Sequence, residues 1–264
     1  MEQKYVYVKD ILKFTLGLQT YDQPDEGLVF GNCTAVVKKL MVCWMVTQEA
    51  LQYAVDHDVD TIITHEAVFF PKDAFTAGNC LDFMSWECNR RRIAEMQRGN
   101  LSVIRSHMSL DYLCIFDDFA QLLELGEPIV DLPGLVRVYD GKGLTYGHYI
   151  SRVKRIFQMD FIRASVCDLS KPIERIGLPW GGLGLSNNAR YMQKLVEQKC
   201  DLFIAGEVDD YGMQFAKDSG VAMIETGHEI SENPGLIHFT EMLKKQFPTV
   251  ETIFWEVHPA FTLQ

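Results

Sequence analysis

Two segments of this chain place a histidine four residues before an acidic residue. One segment holds His107 and Asp111, and the other holds His228 and Glu232. An imidazole and a carboxylate at this spacing can reach one metal ion. Each segment follows a short apolar run that predicts a buried strand, and α/β proteins bind ligands in the loops after strands. The spacing also arises by chance, and His65 and His228 could instead be hydrogen-bonded core histidines.

The residues after His228 predict where the next helix begins. Asn233 followed by Pro234 is typical of an N-cap and a first helical residue. We therefore expect the last long helix over residues 234–247, with His228 and Glu232 in the loop before it.

A second pair of segments repeats one pattern in the two halves of the chain. Each has an aspartate, a short apolar run, and a glutamate six positions after the aspartate. The pairs are Asp60 with Glu66 and Asp201 with Glu207. A helical pattern precedes both. The repeat predicts an internal duplication in which each half contributes acids and histidines from its strand ends.

Composition limits the class of protein. A chain of 264 residues can form one large or two small α/β lobes with a sizeable core. Its net charge of −11 argues against a nucleic-acid surface. We expect no membrane span and no signal peptide from the hydropathy pattern. Seven cysteines without close pairs favour reduced thiols, and therefore the cytoplasm.

A segment rich in proline, glycine and aspartate predicts the boundary between two lobes. It covers residues 127–143. The expected lobes are residues 1–126 and 127–264, and the C-terminal segment 234–264 could pack back on the first lobe. Beyond the boundary we expect a strand over residues 146–150.

A glycine-rich loop, residues 180–186, lies between a predicted strand and a helix that starts near Asn187. Its N–H groups could hold an anion. Its glycines could equally serve a tight turn that needs positive φ. The loop fits neither the dinucleotide-binding pattern nor the P-loop pattern, so neither ligand is predicted.

Six motifs occur in an order and at a spacing typical of one known family. They are Asp25-Glu26-Gly27-Leu28, Asp60 to His65, Ser106-His107 to Asp111, Arg175 to Gly184, Gly206-Glu207, and Gly227 to Glu232. Through them, nearly the whole chain resembles the Nif-three-like proteins, often labelled GTP cyclohydrolase I type 2 homologues. The resemblance implies an α/β fold of two related lobes with mixed sheets and a dinuclear metal site in the cleft between them. It implies the short form of the family, because residues 126–173 leave no room for an inserted middle domain.

The resemblance also implies which residues bind metal: His65, Glu66, Asp111, His228 and Glu232 match the ligand positions of the family. Glu66 stands where the family has a second histidine. One ion would be held by Glu66, Asp111 and Glu232, and the other by His65, His228 and Glu232. Oxygen-rich coordination would favour Mn²⁺, Mg²⁺ or Fe²⁺ over Zn²⁺ at the first position. If Glu66 binds poorly, only one ion would remain.

Two further residues match positions beside the metals and are predicted to be catalytic, His107 and Glu207. His107 could move a proton or orient Asp111. The sequence therefore predicts a metal-dependent hydrolase with two divalent ions and a small-molecule substrate of unknown identity. Arg105, Arg175 or the glycine-rich loop could hold an anionic group of that substrate.

The alternative function is a metal-handling or regulatory binding protein without turnover, because the same ligands would serve both. The resemblance also implies a ring-shaped homo-oligomer, commonly a hexamer. No nucleic-acid or membrane partner is expected.

Overall fold

The computed structural model of the protein describes residues 5–18, 25–72, 80–258 and 260–261. Its first elements are β1 (Val6–Tyr7), α1 (Val8–Gly17), β2 (Gly27–Phe30), β3 (Val36–Val37), β4 (Lys39–Cys43), α2 (Gln48–Asp56), β5 (Thr61–Thr64), α3 (Cys80–Met84), α4 (Glu87–Arg98), β6 (Ser102–Arg105) and α5 (Met108–Leu110). A π-helical turn (Asp111–Ile115) joins α5 to α6 (Phe116–Leu122).

The later elements are β7 (Val130–Leu132), β8 (Val136–Thr145), α7 (Tyr146–Ile156), β9 (Arg163–Ala164), β10 (Pro172–Gly177), α8 (Ala189–Glu197), β11 (Leu202–Ala205), α9 (Asp210–Asp218), β12 (Ala222–Glu225), α10 (His228–Gln246) and β13 (Glu251–Trp255). Two 3₁₀ turns (Gly181–Gly184 and Ser186–Asn188) lie between β10 and α8. Within these described parts of the chain, no helix is long and apolar enough to cross a membrane.

The chain divides into two compact units. The first consists of Met1–Cys114 with Leu236–Gln264, and the second of Ile115–Gly235. The boundary predicted at residue 126 therefore differs from the division in the structure. Helix α6 lies in the second unit, where Phe116 packs edge-on against Trp180 with ring centroids 4.8 Å apart. Apolar packing decides which unit a helix joins, whereas the proline and glycine residues after it only mark a loop.

The first unit contains a five-stranded sheet in the order β13-β4-β5-β6-β2. The first four strands run parallel and β2 runs antiparallel to β6. Strand β5 is buried throughout, as is typical of a central parallel strand covered on both faces. Helix α2 starts where the Thr47 hydroxyl accepts the Ala50 N–H, at 3.1 Å, and its Leu51 joins the core under the sheet.

The second unit contains a six-stranded sheet in the order β7-β8-β10-β11-β12-β9. Strands β10, β11 and β12 run parallel, and the outer strands pair antiparallel. Phe203 and Met223 from this sheet pack with Leu195 of α8. Both units are thus α/β with mixed sheets, which confirms the predicted fold class.

Each unit uses an aspartate to hold the start of a neighbouring strand. The Asp60 carboxylate, just before β5, accepts the N–H groups of Lys38 and Lys39 at 2.6 and 2.8 Å. The Asp201 carboxylate, just before β11, accepts two backbone N–H groups of β10 at 3.1 and 3.2 Å. The aspartates of the repeated sequence pattern therefore have the same structural role, which supports the predicted duplication.

Two local predictions are wrong. Residues 146–150 open helix α7 rather than form a strand, because the Thr145 hydroxyl caps the helix by accepting the His148 N–H at 3.2 Å. Helix α10 begins at His228 rather than at Pro234, because the Gly227 carbonyl already accepts the Ser231 N–H at 3.1 Å. Pro234 lies inside the helix.

We expect Asp60→Asn and Asp201→Asn each to lower the free energy of unfolding by about 1–2 kcal/mol, because a charged acceptor of two N–H groups becomes neutral. Denaturant unfolding of the two variants measures this. Asp58→Asn is the matched control, since Asp58 is exposed with φ of 55°, a conformation that asparagine tolerates. A loss in the control as large as in the variants would show that the hydrogen bonds are not the cause.

Candidate metal centre

The first unit gathers imidazoles and carboxylates at the carboxyl ends of β5 and β6. His65 and Glu66 follow β5, and His107 and Asp111 follow β6. His65 Nε2 lies 3.9 Å from an oxygen of Asp111, and His107 Nε2 lies 3.7 Å from an oxygen of Glu66. The rings of the two histidines have centroids 4.7 Å apart. We call these four residues the first-unit cluster.

Strand pairing explains this proximity. Thr64 is the register partner of Arg105, the last residue of β6, and the Ser106 N–H donates to the Thr64 carbonyl at 3.0 Å. Because β5 ends at Thr64, His65 and Glu66 lie beyond the strand, where adjacent side chains are no longer forced to opposite faces. The sharp turn needed for both side chains to lie near the cluster is therefore present.

The buried ring of His65 is oriented by the backbone. Its Nδ1 lies 3.2 Å from the Ser106 carbonyl oxygen, which can only accept, so Nδ1 donates in this contact. The Nε2 atom is left to face Asp111. A histidine held in this way at one nitrogen is typical of metal-binding histidines.

A carboxylate that the sequence did not assign to the site holds the turn carrying His107. One oxygen of Glu26 accepts the N–H groups of His107 and Ser109 at 3.0 and 2.9 Å, and the other accepts the Ser109 hydroxyl at 2.5 Å. Glu26 belongs to a motif of the family resemblance. Its distance of 81 residues from His107 gave no sequence signal for this contact.

Two arginines that were candidates for holding an anionic substrate have structural partners. Buried Arg105 forms an ion pair with Asp25 and donates to the His65 carbonyl at 3.3 Å. Arg175 donates to the Gln198 carbonyl at 2.7 Å. These contacts tie strand ends to neighbouring segments, so we do not include either arginine in the centre.

The second unit places His228 and Glu232 one turn apart at the start of α10. His228 Nε2 lies 3.3 Å from an oxygen of Glu232, and His228 Nδ1 lies 3.0 Å from an oxygen of Glu207. The side chain of Glu232 is 3% exposed and that of Glu207 is 49% exposed. Because α10 begins at His228, helical spacing rather than a loop brings this imidazole and carboxylate together. We call these three residues the second-unit cluster.

The glycine-rich loop packs directly against the second-unit cluster. Gly181 has φ of +52°, and a Cβ there would lie 2.0 Å from a Glu232 oxygen and 3.2 Å from His228 Nε2. The Gly181 N–H donates to the Ser231 hydroxyl at 2.9 Å. Of the two sequence interpretations, the structure therefore supports a tight turn that lets the backbone approach the side chains of His228 and Glu232.

Burial raises the pKa of two acids beside the second-unit cluster, Glu225 and Glu229. Burial raises the pKa of Glu229, although the nearby charge of His228 opposes the shift. Burial likewise raises the pKa of Glu225, although the N–H of Val208 and the guanidinium of Arg163 oppose it.

Two buried cysteines, Cys43 and Cys200, are not candidates for a catalytic nucleophile. Burial raises the pKa of Cys43 and of Cys200 to about 12. Both remain protonated at neutral pH, whereas a nucleophilic cysteine reacts as the thiolate.

The donor atoms of the first-unit cluster could hold a divalent ion, and the second-unit cluster offers the pair of His228 Nε2 and a Glu232 oxygen. Donors of His65, His107 and Asp111 all lie within 4.8 Å of one another. Ligand atoms on bonds of about 2.1 Å at angles of 90–110° are about 3.0–3.4 Å apart. The separations of 3.3–3.9 Å therefore need only small side-chain movements.

Comparison with known proteins decides the family. The sequence model described as Duf34/NIF3 (NGG1p interacting factor 3) matches residues 4–260. The chain belongs to this family. The family named from the sequence motifs is thereby confirmed.

Curated relatives and solved structures of the Duf34/NIF3 type agree with this assignment. The GTP cyclohydrolase 1 type 2 homolog of Haemophilus influenzae is 23% identical over 239 residues, which is 86% of this chain and 87% of that protein. The one from Lactococcus lactis is 26% identical over 211 residues, covering 77% of each chain. A Bacillus cereus protein related to NIF3 has a TM-score of 0.78 at 12% identity over 99% of this chain and 100% of that one. Reduced HcgD from Methanocaldococcus jannaschii has a TM-score of 0.75 at 19% identity over 96% of this chain and 99% of that one. At these identities the structures show the Duf34/NIF3 fold alone.

We expect Gly181→Ala to destabilise the protein by about 1–3 kcal/mol more than Gly220→Ala, as measured by denaturant unfolding. Both glycines have positive φ, but a Cβ at Gly220 meets nothing within 4 Å. The additional loss of stability arises because the new Cβ at position 181 would overlap the Glu232 carboxylate and force that side chain to move. Equal losses in the two variants would show that the close approach to Glu232 carries no cost.

We expect Glu26→Gln to lower the free energy of unfolding by about 1.5–3 kcal/mol and to speed amide hydrogen exchange at His107 and Ser109. The amide nitrogen of glutamine cannot accept the donors that the carboxylate oxygen accepts. Exposed Glu127 provides the control variant Glu127→Gln. Unchanged exchange at both amides would mean that Glu26 does not hold this turn.

Proposed function

We propose that this chain binds divalent metal ions through the two clusters and acts as a metal-dependent hydrolase on a small molecule. One observation carries the proposal. In each unit a buried or half-buried histidine is held at Nδ1 by a protein acceptor while its Nε2 faces a carboxylate, His65 toward Asp111 and His228 toward Glu232.

This arrangement calls for a cation. In a neutral ring held at Nδ1, the Nε2 atom carries a lone pair, and it faces carboxylate oxygens that also carry lone pairs. Repulsion between them is relieved by a shared cation, either a metal ion or a proton. The presence of two such arrangements, each with an orienting partner, favours metal ions.

The family resemblance supports two ions. We assign Glu66 and Asp111 to one ion and His65 and His228 to the other, with Glu232 as a ligand of both. Bound divalent ions polarise a substrate oxygen and lower the pKa of bound water from 15.7 to about 7. The carboxylate of Glu66 offers a harder donor than the imidazole found in the family.

The remaining site residues have distinct roles in this proposal. Glu207 is a positioning residue, because its carboxylate holds His228 Nδ1 at 3.0 Å. The His107 side chain is 30% exposed, so its Nε2 can receive a proton from a substrate and pass it to solvent. The names of the curated relatives make a purine nucleotide such as GTP the first substrate to test.

One observation favours the alternative, a metal-handling or regulatory protein without turnover. Arg105 and Arg175 have structural partners, so they do not offer a free cation for a phosphate-bearing substrate. Product formation by metal-loaded protein from GTP or from a panel of phosphate esters and cyclic amides separates the two functions. Metal uptake without product from any of them would favour the alternative.

The family resemblance also supports a hexameric ring, which we propose as the assembly in solution. Light scattering that gives the 30.2 kDa monomer at working concentration would contradict it. Cys33, Cys43, Cys88, Cys167 and Cys200 are free thiols, which favours reducing conditions, and we propose the cytoplasm as the location.

We expect Glu66→Ala to bind one metal ion fewer than the unaltered chain, and Glu66→His to shift preference from Mn²⁺ or Mg²⁺ toward Zn²⁺. The first change removes a ligand, and the second replaces an oxygen donor with a softer nitrogen donor. Metal content after gel filtration and competition between the ions measure both effects.

Glu127→Ala is the control for this experiment because Glu127 is exposed and lies outside both clusters. If Glu66→Ala keeps the metal content and selectivity of the unaltered chain, Glu66 is not a ligand.

A further inference from the structure

A cavity of about 430 Å³ lies in the first unit at the amino end of β6. The first-unit cluster follows the other end of this strand, so the cavity is separate from it. The cavity lies between the turn that follows β2 and the turn that joins α4 to β6. Cavities that bind small molecules have volumes of about 300–1,000 Å³. This one is therefore large enough for a small ligand.

Close backbone packing joins the two turns that enclose the cavity. A Cβ at Gly31, where φ is +100°, would lie 2.6 Å from Ser102 Oγ and 2.7 Å from the Leu101 carbonyl oxygen. The Asn32 N–H donates to Ser102 Oγ at 3.2 Å. Because these contacts hold the turns together without a ligand, the cavity is preorganised, which lowers the cost of binding.

The end of α4 brings two carboxamides, Gln97 and Asn100, to the cavity. Asn100 has φ of 47°, and its N–H donates to the Gln97 carbonyl at 3.1 Å. The Leu101 N–H donates to the Met96 carbonyl at 2.9 Å. In this Schellman pattern, backbone groups alone close the helix. The Asn100 side chain is therefore not needed for the helix end.

A third carboxamide comes from Asn32, on the opposite side of the cavity. Its Oδ1 accepts the N–H and the hydroxyl of Thr34 at 2.9 and 2.8 Å, which fixes the orientation of the amide. Within the described parts of the chain, the Asn32 NH₂ group and the side chains of Gln97 and Asn100 make no hydrogen bond to protein. These groups are available to a ligand.

The other lining side chains indicate a flat and uncharged ligand. Half-buried Phe30 and buried Met96 line the cavity, and none of its described lining residues is charged. Phenylalanine rings stack on nucleobases. One carboxamide matches the donor and the acceptor on the major-groove edge of adenine, whereas the two acceptors of guanine are matched by arginine or lysine. The lining offers carboxamides and no such cation.

We propose that this cavity binds a neutral adenine-type heterocycle, such as the base of adenosine. The ring stacks against Phe30, and the carboxamides of Gln97, Asn100 and Asn32 bind its edge. A phosphate adds nothing to the affinity, because none of the described lining residues offers a positive charge. This site lies outside the proposed metal centre, and the inference stands without the hydrolase function.

The test is calorimetric titration of the full chain with adenosine at millimolar concentrations. We expect one adenosine per chain, with guanosine at least about tenfold weaker, since a matched base edge contributes an effect of this size. AMP should bind no more tightly than adenosine, and ribose should not compete. Amide hydrogen exchange should slow on adenosine binding at residues 31–35 and 97–102.

The variant Asn100→Gly with Gln97→Ala removes two carboxamides and should weaken adenosine binding at least about tenfold. Glycine adopts positive φ freely, and alanine is the best helix former, so the fold should be retained. Gln158→Gly is the matched control. Gln158 is an exposed carboxamide residue with φ of 53°, and it lies outside the cavity. Circular dichroism checks that each variant is folded.

Asn100→Asp is a second variant and gives a readout if the double variant fails to fold. It keeps the shape of the side chain but replaces its donor with an acceptor, so it should also weaken adenosine binding.

Four outcomes would overturn the inference. They are no binding of adenosine at millimolar concentration, unchanged adenosine affinity in the folded cavity variants, guanosine or ribose binding as tightly as adenosine, and AMP binding at least about tenfold more tightly than adenosine. The last would show that a charged group, and not the base edge, is recognised.

Discussion

The parallel pairing of β5 with β6 is the interaction on which the first-unit cluster depends. Its register sets Thr64 beside Arg105, so that the residues leaving the two strands emerge at one edge of the sheet. His65 and His107 then lie with ring centroids 4.7 Å apart although 42 positions separate them in the chain. A shift of the register by one residue would exchange the faces of every β6 side chain and separate these two histidines.

Hydrogen bonds to the histidines orient their rings. His65 is held by the Ser106 carbonyl and His228 by the Glu207 carboxylate, and both contacts involve Nδ1. The two units thus orient their histidines by the same principle with different acceptors. A backbone acceptor cannot be altered by substitution, whereas Glu207 can, so the second-unit cluster is the more adjustable of the two.

Glycine and helix geometry build the second-unit cluster in another way. His228 and Glu232 are neighbours because they are one helical turn apart at the start of α10. The backbone at Gly181 approaches them more closely than any side chain would permit. The cluster therefore combines a local spacing that can be seen in the sequence with a close approach of the distant Gly181 backbone. That approach requires a residue without Cβ.

Much of the fold could be predicted from the sequence because it depends on local patterns. The apolar runs ending before His65, His107 and Glu207 are strands, and the repeated aspartates mark equivalent strand starts. The family could be named because its motifs lie in order along the chain. The candidate metal-binding residues could be named for the same reason, since imidazoles and carboxylates after strands are visible in the sequence.

The tertiary structure decided what depends on contacts between distant residues. The assignment of α6 to the second unit follows from packing of Phe116 on Trp180, which no local pattern shows. The capture of the His107 turn by Glu26 and the ion pair that occupies Arg105 are likewise long-range. The start of α10 was misjudged because Asn233 and Pro234 match a helix start locally, whereas the Gly227 carbonyl had already begun the helix. Sequence fixes which groups are available, and the pairing of distant strands and loops decides which of them meet.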